Sequence, residues 1–281
     1  WAGQVSLYAQ DDWKASDKLR LTYGLRVDAP FFIDTPTENP AFNNSQIAKD
    51  YGVTNNYLPK ITPLFSPRIG FRYNVDDERL YVVRGGTGIF TGRVPFVWIS
   101  NSFSNSGIEF ASTERRGKDV FDNVRFTPDP MNAVGDKNFV AGSSLINLAA
   151  RDFKYPQVWR STLAFEAMLP GGIKATLEGM FTKNLNNVRY RNYALVKAGE
   201  KDYGNGEVRP IYKQRPDARL YSSIIALENT DKGYSYNFTA SLSKTFAFGL
   251  DASVSYTYGM TRGSNDGASS IAKSNWEYNY S

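Results

Sequence analysis

Three kinds of residue grouping in this sequence could do chemistry. Arg93, Phe96, Trp98 and Asn101 fall close together, and Tyr190, Arg191 and Tyr193, then Trp276 with Tyr278, repeat the same mixture of aromatic and cationic side chains. Trp, Tyr and Arg dominate contact energies at binding surfaces, so these groups are candidates for ligand contact, with mutual packing of loops as the other reading. Carboxylates cluster at Asp11-Asp12 and at Asp76-Asp77-Glu78. Neither cluster has the spaced Asp/Asn, Gly and terminal Glu of a calcium loop, so both read as solvated turns and no metal is assigned. Gly85, Gly86 and Gly88 superficially resemble a phosphate-cradling loop. They lie within a strand pattern with no helix and no Lys-Ser/Thr after them, which points instead to close approach by another backbone segment such as a loop.

Other chemistry is closed by composition. The chain has no His and no Cys, so a Ser-His or Cys-His nucleophile, the usual zinc ligands and a disulfide framework are all missing. A carboxylate pair for glycoside hydrolysis is chemically available, but nothing singles one out. The chain therefore reads as a non-enzyme, and no cofactor is assigned. With 33 basic and 28 acidic residues mixed along the sequence, net +5, no polybasic run marks a nucleic-acid surface.

The elements that must position these residues follow from a period-two alternation. Leu19, Leu21, Tyr23, Leu25 and Val27 alternate with Arg20, Thr22, Gly24 and Arg26. The same pattern runs through Ile173–Phe181, Tyr234–Leu242 and Leu250–Tyr258. Each predicts a strand of about nine residues with one apolar and one polar face, the length that crosses a bilayer at a tilt. No stretch is apolar enough for a spanning helix, a test that spanning strands escape because they average to polar. Val5–Lys14, Arg68–Val75, Arg79–Phe90 and Gln157–Leu169 are weaker strand candidates. Short connections at Ala15–Lys18, Asp76–Glu78, Pro170–Gly172 and Ala247–Gly249 alternate with long ones at 28–66, 91–156, 184–233 and 259–281.

That arrangement predicts an all-β, antiparallel transmembrane β-barrel segment of about eight crossing strands, with short periplasmic turns and long extracellular loops. Leu220–Glu228 would put a turn on the wrong rim if it crossed. It is therefore expected to form a hairpin with the start of the Tyr234 strand, above the membrane. The polar face, predicted to line the lumen, carries Arg20, Arg26, Arg68, Arg72, Arg84, Arg160, Glu166, Lys174, Glu178 and Asp251. Mixed signs suit a wet wall whose charges pair across strands, or contact with an inserted domain or an anionic solute. Trp13, Phe246, Phe248, Tyr256 and Tyr258 fall near strand ends, where interfacial aromatics gather.

The run Val5-Ser-Leu-Tyr-Ala-Gln-Asp-Asp-Trp-Lys-Ala-Ser-Asp-Lys-Leu-Arg-Leu-Thr-Tyr-Gly-Leu-Arg-Val-Asp28 resembles a hairpin of TonB-dependent outer-membrane receptors. Phe65-Ser-Pro-Arg-Ile-Gly-Phe71, Arg84-Gly-Gly-Thr-Gly-Ile-Phe-Thr-Gly92, Asn229-Thr-Asp-Lys-Gly-Tyr234 and Ser255-Tyr-Thr-Tyr-Gly259 continue the resemblance in order. Gly92-Arg-Val-Pro-Phe-Val-Trp-Ile-Ser-Asn101 resembles the branch with an N-terminal carboxypeptidase-regulatory-like domain. The resemblance implies part of a larger receptor barrel in the cell outer membrane, with the plug and terminal strands outside this sequence. The start at Trp1, without an initiator Met, suits a piece of a longer protein. It further implies capture of a scarce solute by the outer loops and TonB-driven import. The implied partners are outer-membrane lipid, the protein's own plug, TonB through the N-terminal part, and a surface lipoprotein, with no nucleic acid among them. The plug would then be a second candidate for the backbone approaching Gly85, Gly86 and Gly88. Two other architectures share the pattern: a complete eight-strand adhesin-type barrel and a soluble carbohydrate-binding β-sandwich.

Overall fold

A computed structural model of the protein describes residues 1–93, 95–109, 128–129, 144–265 and 267–277; Tyr278 and part of the 91–156 connection lie outside them. Eight long strands form the wall. In order of pairing they are β1 (Ala2–Lys14), β2 (Leu19–Phe32), β3 (Leu64–Asn74), β4 (Tyr81–Thr91), β6 (Gln157–Leu169), β7 (Ile173–Asn192), β11 (Tyr234–Thr245) and β12 (Asp251–Arg262), each antiparallel to its neighbours. All eight predicted crossing strands are present.

Register shows why alternation in sequence becomes two different surfaces. One row across the wall reads Arg20, Arg72, Arg84, Ala164, Glu178, Thr239, Thr257. The adjacent row reads Trp13, Leu21, Phe71, Gly85, Leu163, Gly179, Phe238, Tyr258. Successive residues point to opposite faces, so each strand adds its polar member to one side and its apolar member to the other. The apolar row is not covered: Leu163 is 58%, Phe238 61% and Tyr258 54% exposed, as a surface meant for lipid must be.

Tight turns close the strands on one rim. In the β6–β7 turn Gly171 and Gly172 have φ of 79° and 71°, a left-handed pair in which a side chain would be strained. Within β4 the glycines meet their flanking strands. A Cβ on Gly85 would lie 2.7 Å from the Thr162 carbonyl oxygen, and one on Gly86 2.9 Å from that of Ile69. Within this chain the backbones that approach closely are therefore those of the flanking strands β6 and β3, where a loop was expected. On the apolar face the Phe238 ring packs over Gly179 and covers the gap left by the missing side chain.

The other rim carries a packed cap. It contains β5 (Ser144–Ala149), β8 (Leu195–Asp202), β9 (Val208–Gln214), β10 (Tyr221–Thr230) and short helices at Pro40–Asn43, Gln46–Tyr51, Phe96–Ser104 and Ala272–Glu277. β10 does stand above the crossing region, but its antiparallel partner is the upper part of β7, Asn187–Asn192, and its other neighbour is β5, in parallel. The expected hairpin with the Tyr234 strand does not form. The reason is the length of β7: it runs 20 residues, offering Ile173–Lys183 to β11 and then continuing past the expected strand end to take β10. β8 and β9 pair only with each other, as a separate hairpin.

Both other architectures fail on this topology. A sandwich needs a second sheet packed on the first, whereas the apolar face of the wall is exposed. A closed eight-strand barrel needs β1 paired with β12, and among the described residues each of these has a single neighbour. Among the described residues no helix is long and apolar enough to cross a membrane.

Candidate functional site

The cap is organised around two adjoining apolar clusters, and these decide which candidate residues are free to meet a ligand. The first gathers Phe42, Ile47, Ile146, Tyr193, Tyr221 and Ile224; the second gathers Leu64, Ile99, Phe153, Tyr155, Tyr190, Ile225 and Leu227. Buried amides bind the connecting chain to this core. Asn39 caps the Pro40–Asn43 helix by accepting from Phe42 N at 3.0 Å, donates its backbone N–H to Asn55 Oδ1, and donates its side-chain amide to the Ser106 carbonyl. Arg215 ties the base of the β8–β9 hairpin to the Gln46–Tyr51 helix through Asp50 at 2.5 Å, and holds its own near neighbour Asp217 at 2.8 Å.

The sequence-predicted ligand residues divide into three groups. Trp98, Asn101 and Tyr193 are engaged in packing. Trp98 Nε1 donates to the Ser269 carbonyl at 2.9 Å and Asn101 Nδ2 to that of Ser270 at 2.8 Å, clamping the 269–277 segment onto the Phe96–Ser104 helix. Tyr193 stacks on Tyr51 with ring centroids 3.9 Å apart and donates its hydroxyl proton to Glu228. Burial first, and then the Glu228 carboxylate, raises the Tyr193 hydroxyl well above the ordinary tyrosine range. Phe96 lies elsewhere, in an apolar hollow of about 420 Å³ with Trp1, Phe32 and Ile99, its ring edge-on to Phe32. Arg93 is exposed just beyond β4.

Tyr190, Arg191 and Trp276 come together with residues from four other segments in an open cleft of about 690 Å³. Arg189 and Arg191 enter it from β7, Lys197 and Tyr212 from the β8–β9 hairpin, Lys232 from the β10–β11 connection, and Trp276 and Glu277 from the last helix. The Arg191 guanidinium lies 5.4 Å and 5.5 Å from the ring centroids of Tyr51 and Tyr193, over a preformed aromatic pair. Tyr190 is a buried wall of the cleft, edge-on to Trp98, and burial raises its hydroxyl far above the ordinary tyrosine range. The volume falls within the range of small-molecule sites.

Sequence reasoning missed Arg189, Lys197, Tyr212 and Lys232. The pattern Val188-Arg-Tyr-Arg-Asn192 carries a usable signal, because the two Arg alternate with Tyr190 and must share a strand face. Nothing in the sequence brings Lys232 to them.

On the polar face of the wall the charges pair across strands. Arg84 donates to Glu166 at 2.7 Å and to Glu178 at 2.8 Å, and Lys174 sits 3.1 Å from the second oxygen of Glu166. Arg20 grips Asp12 through two bonds of 2.5 Å and 2.6 Å, and Arg26 holds Asp28, which also accepts from Gln4 and Ser6. Arg160 donates to Thr182 and, with Arg68, faces the Phe90 ring. Arg72 lies between Arg20 and Arg84 in register, with no carboxylate partner among the described residues. Among those residues no group of three or more acidic side chains is placed to hold a metal ion.

The whole of this geometry matches a known type of domain. A family model described as "Outer membrane beta barrel domain" matches residues 1–281. In structure the chain is similar to the outer membrane transporter YddB from Escherichia coli, at 11% identity and TM-score 0.54, covering 95% of this chain and 25% of that one. It is also similar to the ferric enterobactin receptor PfeA in complex with BCV-L6, at 14% identity and TM-score 0.50, covering 92% of this chain and 27% of that one. At these identities the likeness is one of fold, and the chain spans about a quarter of the length of those two structures. No curated protein matches the sequence.

Proposed function

The chain belongs to the outer membrane beta barrel domain family and so to the cell outer membrane, and from this premise we propose that it is part of the barrel of an active transporter, a TonB-dependent receptor. Its long loops capture a scarce solute outside the cell, and its wall forms part of the route inward. The observation that carries this reading is the one-sidedness of the molecule. A wall with an apolar outer face and a polar inner face is capped on one rim only, and the cap contains a ligand-sized cleft.

Within this reading the plug, the segment that contacts TonB and the terminal strands belong to parts of the protein outside residues 1–281. The paired charges of Arg84, Glu166, Glu178 and Lys174 form the wall against which the plug rests. The stretch Gly92–Asn101 supports assignment to the branch with an N-terminal carboxypeptidase-regulatory-like domain, and a surface lipoprotein is a further proposed partner. The work of the chain is binding and transport, not catalysis. Binding of the isolated periplasmic domain of TonB by the detergent-solubilised full-length receptor tests the energy coupling. Saturable binding is the expected result; its absence across accessible concentrations removes TonB from the mechanism.

A further inference from the structure

The cation balance of the cap is uneven. Several cations of this chain have an acidic partner: Arg20, Arg26, Arg84, Lys174, Arg209 and Arg215 all form ion pairs. The cap cleft gathers cations that have none. Arg189, Arg191 and Lys232 line it with no carboxylate within ion-pair distance among the described residues. Lys197 also lines it, paired with Glu200 three residues along the same strand, and the one acid of the lining, Glu277, lies 3.8 Å from Lys273. Three like charges converging on one concavity repel one another, a cost that the Arg191 contacts with Tyr51 and Tyr193 offset only in part. An anion entering the cleft would supply the missing counter-charge.

Geometry narrows the anion. Arg189 and Arg191 are two apart on β7 and so share a strand face, which brings two guanidinium groups to the same side of the sheet. Such planar forks match carboxylate and phosphate oxygens in pairs, while the Lys232 ammonium supplies a third, less directional charge. Tyr212 and Trp276 add apolar surface to the same walls.

We propose that this cleft binds a small polyanion, a ligand carrying at least two carboxylate or phosphate groups. Arg189 and Arg191 grip one group, Lys232 meets another, and Tyr212 and Trp276 cover the carbon frame. The proposal deepens the reading of the loops as the solute-capturing surface and rests on it for its biological sense.

Isothermal titration of the full-length receptor in neutral detergent tests it, with citrate and with pyrophosphate as probes at low salt. We expect saturable binding of at least one probe that weakens as salt is raised. Arg189→Gln combined with Lys232→Gln should weaken it by about tenfold or more. Both side chains lack ion-pair partners, so the cap should fold normally in that variant, and unchanged resistance to trypsin confirms this. Arg191 also stacks on aromatic rings, so Arg191→Lys serves as its test: the charge is kept and binding should fall less than with Arg191→Gln. Binding of neither probe, or equal binding by the double variant, overturns the proposal. Polyanion binding without energised import would leave the site standing and remove the transport reading. Import indifferent to these residues would do the reverse.

Discussion

The wall and the cap are built from one chain by opposite means. In the wall nearly every side chain is open to its surroundings, and β12 has no covered residue along its whole length. Cohesion there comes from antiparallel ladders and cross-strand pairs, and the apolar face has no protein partner. The cap instead buries Phe42, Ile47, Ile146 and Ile224 completely, and satisfies its interior backbone with Asn39 and Asn55. The wall is thus a structure whose solvent completes it, whereas the cap carries its own core as a water-soluble domain does. One consequence is functional: a cleft on a packed core is pre-organised for a ligand, with less ordering cost than mobile loops would bear.

Substitutions can break that contrast, and the largest effect belongs in the cap. Phe42 is fully buried and meets Tyr221 edge-on at 5.8 Å, so Phe42→Ala should cost about 3–5 kcal/mol through lost contacts and the cavity left behind. Limited trypsin digestion should then cut the cap, while the wall keeps its resistance to sodium dodecyl sulfate in unheated gels. Loss of both together would show that the two regions are not separable. Next is Leu163→Arg on the apolar row, which should cost about 2–4 kcal/mol and reduce membrane assembly, because a charge would face hydrocarbon. Thr162→Arg, one residue along and on the opposite face, should assemble normally; equal assembly defects in both variants would refute the assignment of faces. Smaller again is Gly85→Ala, at about 1–3 kcal/mol, since the new Cβ has no room beside the Thr162 carbonyl. A thermal melt of the purified receptor measures it, and an unchanged midpoint would mean the β4–β6 approach is looser than described.

The wall was far more legible in sequence than the cap. Alternation such as Leu19–Val27 against Arg20–Arg26 fixes face and strand because lipid on one side and a polar lumen on the other impose it directly. The signal fails at Leu185. The ladder jumps there from Val158 opposite Asn184 to Gln157 opposite Asn186, so one extra residue shifts the phase and hides the continuation of β7. Without that continuation, Leu220–Glu228 looked for a partner in its sequence neighbour and not in a strand already used. The cleft was half legible for a similar reason. Arg191 and Tyr190 announce themselves locally, but Lys232 and Trp276 reach them only through the fold, and Trp98 and Tyr193 carry the same composition while serving as packing. Residue type marks a binding surface and a packed loop alike; burial separates them, and burial in the cap depends on contacts distant in sequence.

The smallest effect sharpens the comparison through pH. Burial pushes the Tyr155 hydroxyl up to about 12, and the hydroxyls of Tyr190 and Tyr193 are raised by burial as well. In the unfolded chain these groups ionise near pH ~10. Their contribution to cap stability is therefore fully present below about pH 10 and is lost as pH rises from there through the folded values. On the acid side the sign reverses. Arg215 holds the Asp50 and Asp217 carboxyls below the ordinary carboxylate range, so that contribution is present above about pH 4 and is lost as pH falls through the lowered values. Because Asp50 is exposed to solvent, this acid effect should be slight and should fade in salt. Absorbance of tyrosinate during alkaline titration measures the larger arm. A late-titrating group should disappear in Tyr155→Phe, and the cap should become trypsin-sensitive in the same pH interval while the wall stays folded. If Tyr155 instead titrates with the exposed tyrosines, the cap has no dry core, and the difference between the two regions reduces to one of pairing pattern.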